Sequence, residues 1–357
     1  MKIGIDARKI SNFSDKSNFI KFLINFLNKK DTKNNYIIYS NSLFKADNLN
    51  KNFEIKKVKS DFSGLGQIKF GNLLKADKLD LVLFFDYDKP LFYNKKYLAF
   101  PWGLEDLFFP GDNFKSTFSK TKYNLLTQIY LDRAEKVFVF NNEMKQDLND
   151  KLNLKEDKII VFNPPLFKYA NKSLDINTKL KHGIANDYFL TNGDGATNNN
   201  LERIIKVIGE INNSKSKQNI DLIISGNKAS SNIELRDFVV RNNLQNCIHF
   251  VGDINPNEEE SYYKKSIGYI YSSIYDLYPF SLSKAINYNT FILASDNDVV
   301  KNIFGNRINY FNSLSDLEMK NILLKQIKTP KQADYKGIYE DNYKKFEEDI
   351  VRLIKNF

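Results

Sequence analysis

One cysteine, one tryptophan and two histidines in 357 residues leave little material for several kinds of chemistry. Cys247 alone cannot form an intramolecular disulfide, and beside Ile248, Phe250 and Val251 its thiol is expected to be a buried, unreactive apolar filler. His182 and His249 are far apart, with no Cys or Glu at ligand spacing, which argues against zinc. No apolar run approaches the roughly 18 residues of a membrane-crossing helix. The start Met1-Lys2-Ile3-Gly4-Ile5-Asp6 reads as a strand, not a signal peptide. Basic runs of five or more are missing too, so the net charge of +10 is read as scattered lysines on a solvated surface. Nucleic acid is accordingly not expected as a partner, and weak apposition to an anionic membrane face is the second reading of the charge. No repeat or low-complexity tract is present beyond Asn198-Asn199-Asn200.

What is present is a strand-and-helix alternation that runs the length of the chain and restarts once. Strands are predicted over 2–6, 36–40, 53–58, 79–85, 97–100, 136–140 and 158–162. The apolar spacing of Phe19, Ile20, Phe22, Leu23, Phe26 and Leu27 predicts a helix between the first two, and 143–152 another. After Asn163-Pro164-Pro165 the pattern begins again. Strands are expected at 188–192, 221–225, 247–251, 268–271 and 291–294, with helices at 201–210, 233–242, 257–265, 281–288 and 342–356. The fold class is therefore α/β with two Rossmann-like domains. Their expected bounds are 1–165, 166–340 and a C-terminal helix in 341–357.

The richest stretch runs from Asp276-Leu277-Tyr278-Pro279-Phe280-Ser281 through Leu282-Ser283-Lys284-Ala285-Ile286-Asn287 to the strand ending at Ala294. Loop, helix start and buried strand in that order resemble the nucleotide-sugar segment of family 4 glycosyltransferases. Further matches in order are Gly4-Ile5-Asp6-Ala7-Arg8, Tyr36-Ile37-Ile38-Tyr39-Ser40, Ala134 to Asn142, and Tyr188 to Gly193 followed by Asn200 to Ile205. The resemblance implies the GT-B architecture, in which the two domains face each other across a cleft and the C-terminal helix packs back on the first. It also implies transfer of a sugar from a nucleotide-diphosphate sugar to a glycan or lipid-linked acceptor in surface polysaccharide assembly. That chemistry retains the anomeric configuration and needs no metal or other cofactor.

Carried residue by residue, the resemblance names donor-binding positions at Gly193, Asp194, Asn199, Tyr278, Phe280, Ser281 and Lys284, and catalytic positions at Asp276, Trp102 and Glu105. Several differ from the family pattern. Asp276 stands for the first of two family glutamates and Lys284 for the second. Lys284 has donors only, so it cannot accept from a ribose diol, but it suits a phosphate. Asp194 and Asn199, or Asn198, occupy the places of an Arg and a Lys that neutralise the leaving diphosphate. Trp102 falls at an acceptor-side histidine, with Glu105 and Asp106 as replacement bases. The segment 11–17, which replaces a glycine-rich loop, contains no glycine. Asp86-Tyr87-Asp88 and Asp296-Asn297-Asp298 match the short Asp-x-Asp metal motif by composition alone and are set aside, as is Gly64-Leu65-Gly66. These departures give a second expectation, a catalytically degenerate binding or scaffolding subunit for a partner glycosyltransferase. Composition and the resemblance together place the protein in a bacterial cytoplasm, at the inner face of the membrane if it associates peripherally.

Overall fold

The computed structural model describes residues 1–357 except 12–13, 42–43, 45–47, 60, 87–88, 91, 103, 105–106, 108–115, 170–173, 194, 196, 215–218, 277, 332 and 356–357; for 197 and 352–355 it describes the backbone only. The chain divides into two units, Met1–Pro165 with Phe346–Phe357, and Leu166–Lys345.

The first unit is built from β1 (Lys2–Ala7), α1 (Asp15–Lys30), β2 (Asn35–Ser40), β3 (Phe53–Lys57), α2 (Gly64–Ala76), β4 (Leu81–Phe84), β5 (Tyr97–Ala99), α3 (Thr117–Asp132), β6 (Lys136–Val139), α4 (Asn142–Leu152) and β7 (Ile159–Val161). Its seven strands are all parallel, in the order β3-β2-β1-β4-β5-β6-β7. A parallel sheet is covered on both faces, so its strands carry unbroken apolar runs rather than an alternation. Leu81-Val82-Leu83-Phe84, buried throughout, is one. Helix α1 shows how sequence sets an element's limits. The Ser14 hydroxyl accepts from the Ser17 amide to start it, Asp15 and the Lys29-Lys30 pair suit its two dipole ends, and Phe19, Ile20, Leu23, Ile24, Phe26 and Leu27 form the buried face. Each such side chain contributes roughly 1.5–3 kcal/mol on burial.

The second unit contains α5 (Thr178–His182), β8 (Asp187–Asn192), α6 (Leu201–Asn212), β9 (Ile220–Ser225), α7 (Asn227–Ser231), α8 (Ile233–Arg241), β10 (Ile248–Gly252), α9 (Glu259–Lys265), β11 (Gly268–Tyr271), α10 (Leu282–Asn287), β12 (Ile292–Ser295), α11 (Asp298–Phe304), β13 (Asn309–Phe311) and α12 (Asp316–Lys328). Its six strands, also all parallel, run β10-β9-β8-β11-β12-β13. Leu201, Ile204, Ile205, Val207, Ile208 and Ile211 of α6 pack on Leu222, Ile224, Ile270 and Leu293 to form its core. The last helix, α13 (Ile338–Lys355), begins in the second unit and ends in the first. It starts four residues before its expected N-terminus. Helices α2, α3, α5, α7, α11 and α12 and strand β13 are additions to the elements read from sequence.

Candidate functional site

In the second sheet β8 and β11 are neighbours, but the chain continues from β8 outward to β9 and β10 and from β11 outward to β12 and β13. Loops leaving the carboxyl ends of two such strands diverge, and the crevice they leave is where open α/β sheets bind ligands. Here the two loops are tied to each other. The Asn198 carbonyl accepts from the Ile274 amide at 2.8 Å and from the Ser273 hydroxyl at 3.2 Å. The Asn198 side-chain amide donates to the Tyr275 carbonyl at 3.0 Å, and the Ser272 hydroxyl to the Asn199 carbonyl at 2.5 Å. A third loop closes on the same place: the Gly193 amide donates to the Ser225 carbonyl at 3.2 Å, and a Cβ on Gly226, whose φ is +117°, would stand 2.3 Å from the Gly193 carbonyl oxygen. Only glycine fits at 226, for both reasons.

Asp276 ends the β11 loop with a half-buried carboxylate. One oxygen accepts from the Tyr271 hydroxyl at 2.6 Å, the other from the Tyr278 amide at 3.3 Å. Burial, then the charge of Asp276, holds the Tyr271 phenol far above its ordinary range, so it stays a donor and fixes the carboxylate. Asp276 is thus oriented by a donor at the end of β11 and another two residues further along the chain.

The residues that follow are held by contacts within the second unit. Tyr278 is 2 % exposed and accepts from the Asn342 side chain at 3.1 Å; Phe280 is 5 % exposed and stacks on Phe167 with centroids 5.3 Å apart. Both side chains are packed inside the second unit. Ser281 is half-buried and its side chain makes no capping bond to α10, a helix of six residues. The Lys284 ammonium pairs with Glu259 at 2.5 Å and lies 5.5 Å from the Tyr169 ring centre. Glu259, side chain 10 % exposed, was not singled out from sequence, because nothing local marks a partner 25 positions away.

Gly193 lies at the start of the β8 loop, where a Cβ would meet the Asn199 side-chain oxygen at 3.0 Å, so Gly193 and Asn199 are brought together. Asp194 lies outside the described residues, as do Glu105 and Asp106. Trp102 belongs to the first unit, where its half-buried ring sits 5.5 Å from Phe19 and 4.8 Å from Phe140. It forms the outer edge of an aromatic cluster that continues to Phe100 and Phe162.

Of the two Asp-x-Asp tripeptides, Asp86 accepts from both Lys9 and Lys16, Tyr87 and Asp88 lie outside the described residues, and Asp296 pairs with Lys301. Among the described residues no group of three or more His, Cys, Asp or Glu converges as metal ligands. His249 lies 3.3 Å from the buried Asp221, and His182 faces the Tyr262 hydroxyl at 2.5 Å. Cys247 is half-buried, its thiol directed at the Leu244 carbonyl at 3.3 Å and its pKa raised by burial. No helix among the described residues is long and apolar enough to cross a membrane.

Residues 177–314, which include the loops after β8, β9 and β11, match the family described as glycosyl transferases group 1. The O-antigen chain mannosyltransferase RfbU of Salmonella typhimurium is 24 % identical over 205 residues, 57 % of this chain and 54 % of that protein, so the match spans about half the relative's length. Among solved structures, Anabaena Alr3699/HepE in complex with UDP-glucose has a TM-score of 0.70 at 11 % identity with both chains wholly covered. WaaG, a glycosyltransferase involved in lipopolysaccharide biosynthesis, has a TM-score of 0.64 at 13 % identity, covering 92 % of this chain and 90 % of its own. The fold is that of GT-B glycosyltransferases, and the resemblance read from the ordered sequence signatures is matched by the similarity of residues 177–314 to glycosyl transferases group 1.

Proposed function

We propose that the chain is a glycosyltransferase that binds a nucleotide-diphosphate sugar on the tied loops of the second unit and passes the sugar to a hydroxyl of a glycan or lipid-linked acceptor in surface polysaccharide assembly. The observation that carries the reading is the position of these loops. They leave the two switch-point strands, inside the segment that matches the family, and end on a carboxylate held by two donors. In the step itself the bond from anomeric carbon to phosphate oxygen breaks, the acceptor oxygen takes its place on that carbon, and the acceptor proton leaves with the diphosphate. Asp276 would accept from sugar hydroxyls, and the Gly193–Asn199 loop would offer uncharged donors to the diphosphate. With Lys284 held by Glu259, no lysine from α10 shares in neutralising that charge. Retention of configuration and independence from metal are part of the proposal and follow the family resemblance.

A second reading is favoured by the Lys284–Glu259 pair, which stands where the family has a glutamate: the unit binds a nucleotide sugar, or only a partner glycosyltransferase, without transfer. Calorimetry on the full chain with UDP-, GDP- and ADP-sugars separates these. The first reading expects binding of one class, turnover with a suitable acceptor, and a hundredfold or greater loss of turnover in Asp276→Asn with the affinity for the bare nucleotide retained. Binding without turnover favours the second reading, and a folded chain that binds none of the three sinks the first.

A further inference from the structure

Of the two hydrogen bonds that direct Asp276, the one from the Tyr271 hydroxyl is short and the one from the Tyr278 amide is long, at 3.3 Å. A bond of that length depends closely on where its donor is kept, because hydrogen bonds weaken quickly with distance and misalignment. Tyr278 is kept in place by its ring. The ring is 2 % exposed, lies 4.6 Å from the Phe280 ring between centroids, and its hydroxyl accepts from the Asn342 side-chain amide at 3.1 Å. Burial holds the Tyr278 phenol well above its ordinary range, so it stays neutral.

Asn342 is fixed from its other side. It is 8 % exposed, and its side-chain oxygen accepts from the Leu166 backbone amide at 2.5 Å. A backbone amide can only donate, so the Asn342 oxygen must face Leu166 and its nitrogen must face Tyr278. Burying an amide carries a cost that an apolar residue at 342 would not, and the bonds to Leu166 and Tyr278 offset it. Asn342 also ends a row of contacts. Three residues earlier on the same face of α13 the Tyr339 hydroxyl donates to the Ser283 carbonyl of α10 at 2.8 Å, and ahead of the helix the Tyr335 hydroxyl donates to the Thr290 carbonyl at 2.9 Å. As the chain advances through Tyr335, Tyr339 and Asn342, its contacts step back through Thr290 and Ser283 to Tyr278, at the loop that carries Asp276.

We infer that Asn342 is a positioning residue for the donor site: by holding the Tyr278 ring it holds the Tyr278 amide, and through that amide the direction of the Asp276 carboxylate. This role rests on the reading of Asp276 as the group that accepts from the sugar. It brings a residue of the last helix into the site, acting through Tyr278 rather than on the substrate.

The test is calorimetry on the full chain with UDP-glucose, GDP-mannose and ADP-glucose, each beside its bare nucleoside diphosphate. Tyr278→Phe keeps the ring and removes the oxygen that accepts, and Asn342→Leu removes the donor. Each should weaken binding of the nucleotide sugar roughly fivefold, the size of one hydrogen bond's net contribution, and leave the bare nucleotide within about twofold. In an Asp276→Ala background Tyr278→Phe should weaken sugar binding no further, because the carboxylate that it directs is gone. A merely structural role would lower both affinities alike and would persist in that background, and either result overturns the positioning role. If Asp276→Ala weakens sugar binding and Tyr278→Phe does not, the positioning role alone fails. If Asp276→Ala has no effect, or the unaltered chain binds none of the three donors, the reading of Asp276 fails and the role of Asn342 falls with it. Should Asn342→Leu not fold, Tyr278→Phe decides alone.

Discussion

Lys284 and Asp276 sit in one stretch of sequence, yet their neighbours give them opposite characters. Asp276 is held by a phenol and an amide and keeps a half-exposed carboxylate. Lys284 spends its charge on Glu259, whose side chain is only 10 % exposed. Removing one partner of such a pair leaves the other charged and poorly hydrated, so Lys284→Met should cost about 2 kcal/mol, while replacing both partners with apolar or neutral groups should recover much of it. Chemical denaturation of Lys284→Met, Glu259→Gln and the double variant measures the coupling. Additive losses would show that the pair is not an energetic unit. Which residue types stand at the loop was legible in the sequence. Their directions were not, because Tyr278 and Phe280 turn inward to meet Asn342 and Phe167, residues far along the chain.

Among the elements, strong apolar runs and clean periodicity were readable, as in β9 and α6, where Ile204, Ile205, Ile208 and Ile211 follow a helical spacing. Helix α3 was not, since Phe118 and Leu125 are 78 % and 55 % exposed and break the pattern that a buried face would give. Helix α2 opens on Gly64-Leu65-Gly66, which reads as a loop until the Ser63 hydroxyl is seen accepting from the Gly66 amide. The conformation of the β9 loop rests on Gly226. Gly226→Ala adds a Cβ at 2.3 Å from the Gly193 carbonyl at a φ of +117°, and this should cost about 2–3 kcal/mol and weaken nucleotide-sugar binding at least tenfold. An unchanged midpoint and affinity would remove Gly226 from the site. At the opposite ends of the strands, Asp221 ties β9 to His249 of β10 and to Asn186 just before β8. Burial works to raise the Asp221 carboxyl, but hydrogen bonds from His249 and Asn186 outweigh it and leave its pKa lowered. A lowered carboxylate stabilises the fold above its unfolded value of about 3.9 and loses that contribution as pH falls through the folded value. The melting temperature should therefore drop below about pH 4, and Asp221→Asn should be less stable at pH 7 with a flatter acid limb.

For the molecule as a whole, each unit has its own parallel sheet and its own core, so heat or denaturant should unfold them in separable steps rather than in one. The sequence supplies a probe, because the single tryptophan, Trp102, lies in the first unit against Phe19 and Phe140. Its fluorescence reports that unit alone, whereas far-ultraviolet circular dichroism reports both. The first unit includes the last turns of α13, where Phe346 is fully buried between Phe22 and Phe26 at centroid distances of 5.2 and 5.3 Å and Asp349 accepts from the Asn163 amide at 3.1 Å. Phe346→Ala removes that ring from a packed core, a change that costs about 3–5 kcal/mol. The fluorescence-detected midpoint should fall accordingly while the part of the dichroism signal from the second unit keeps its own midpoint. Equal shifts of both signals would mean that the two units unfold as one cooperative body.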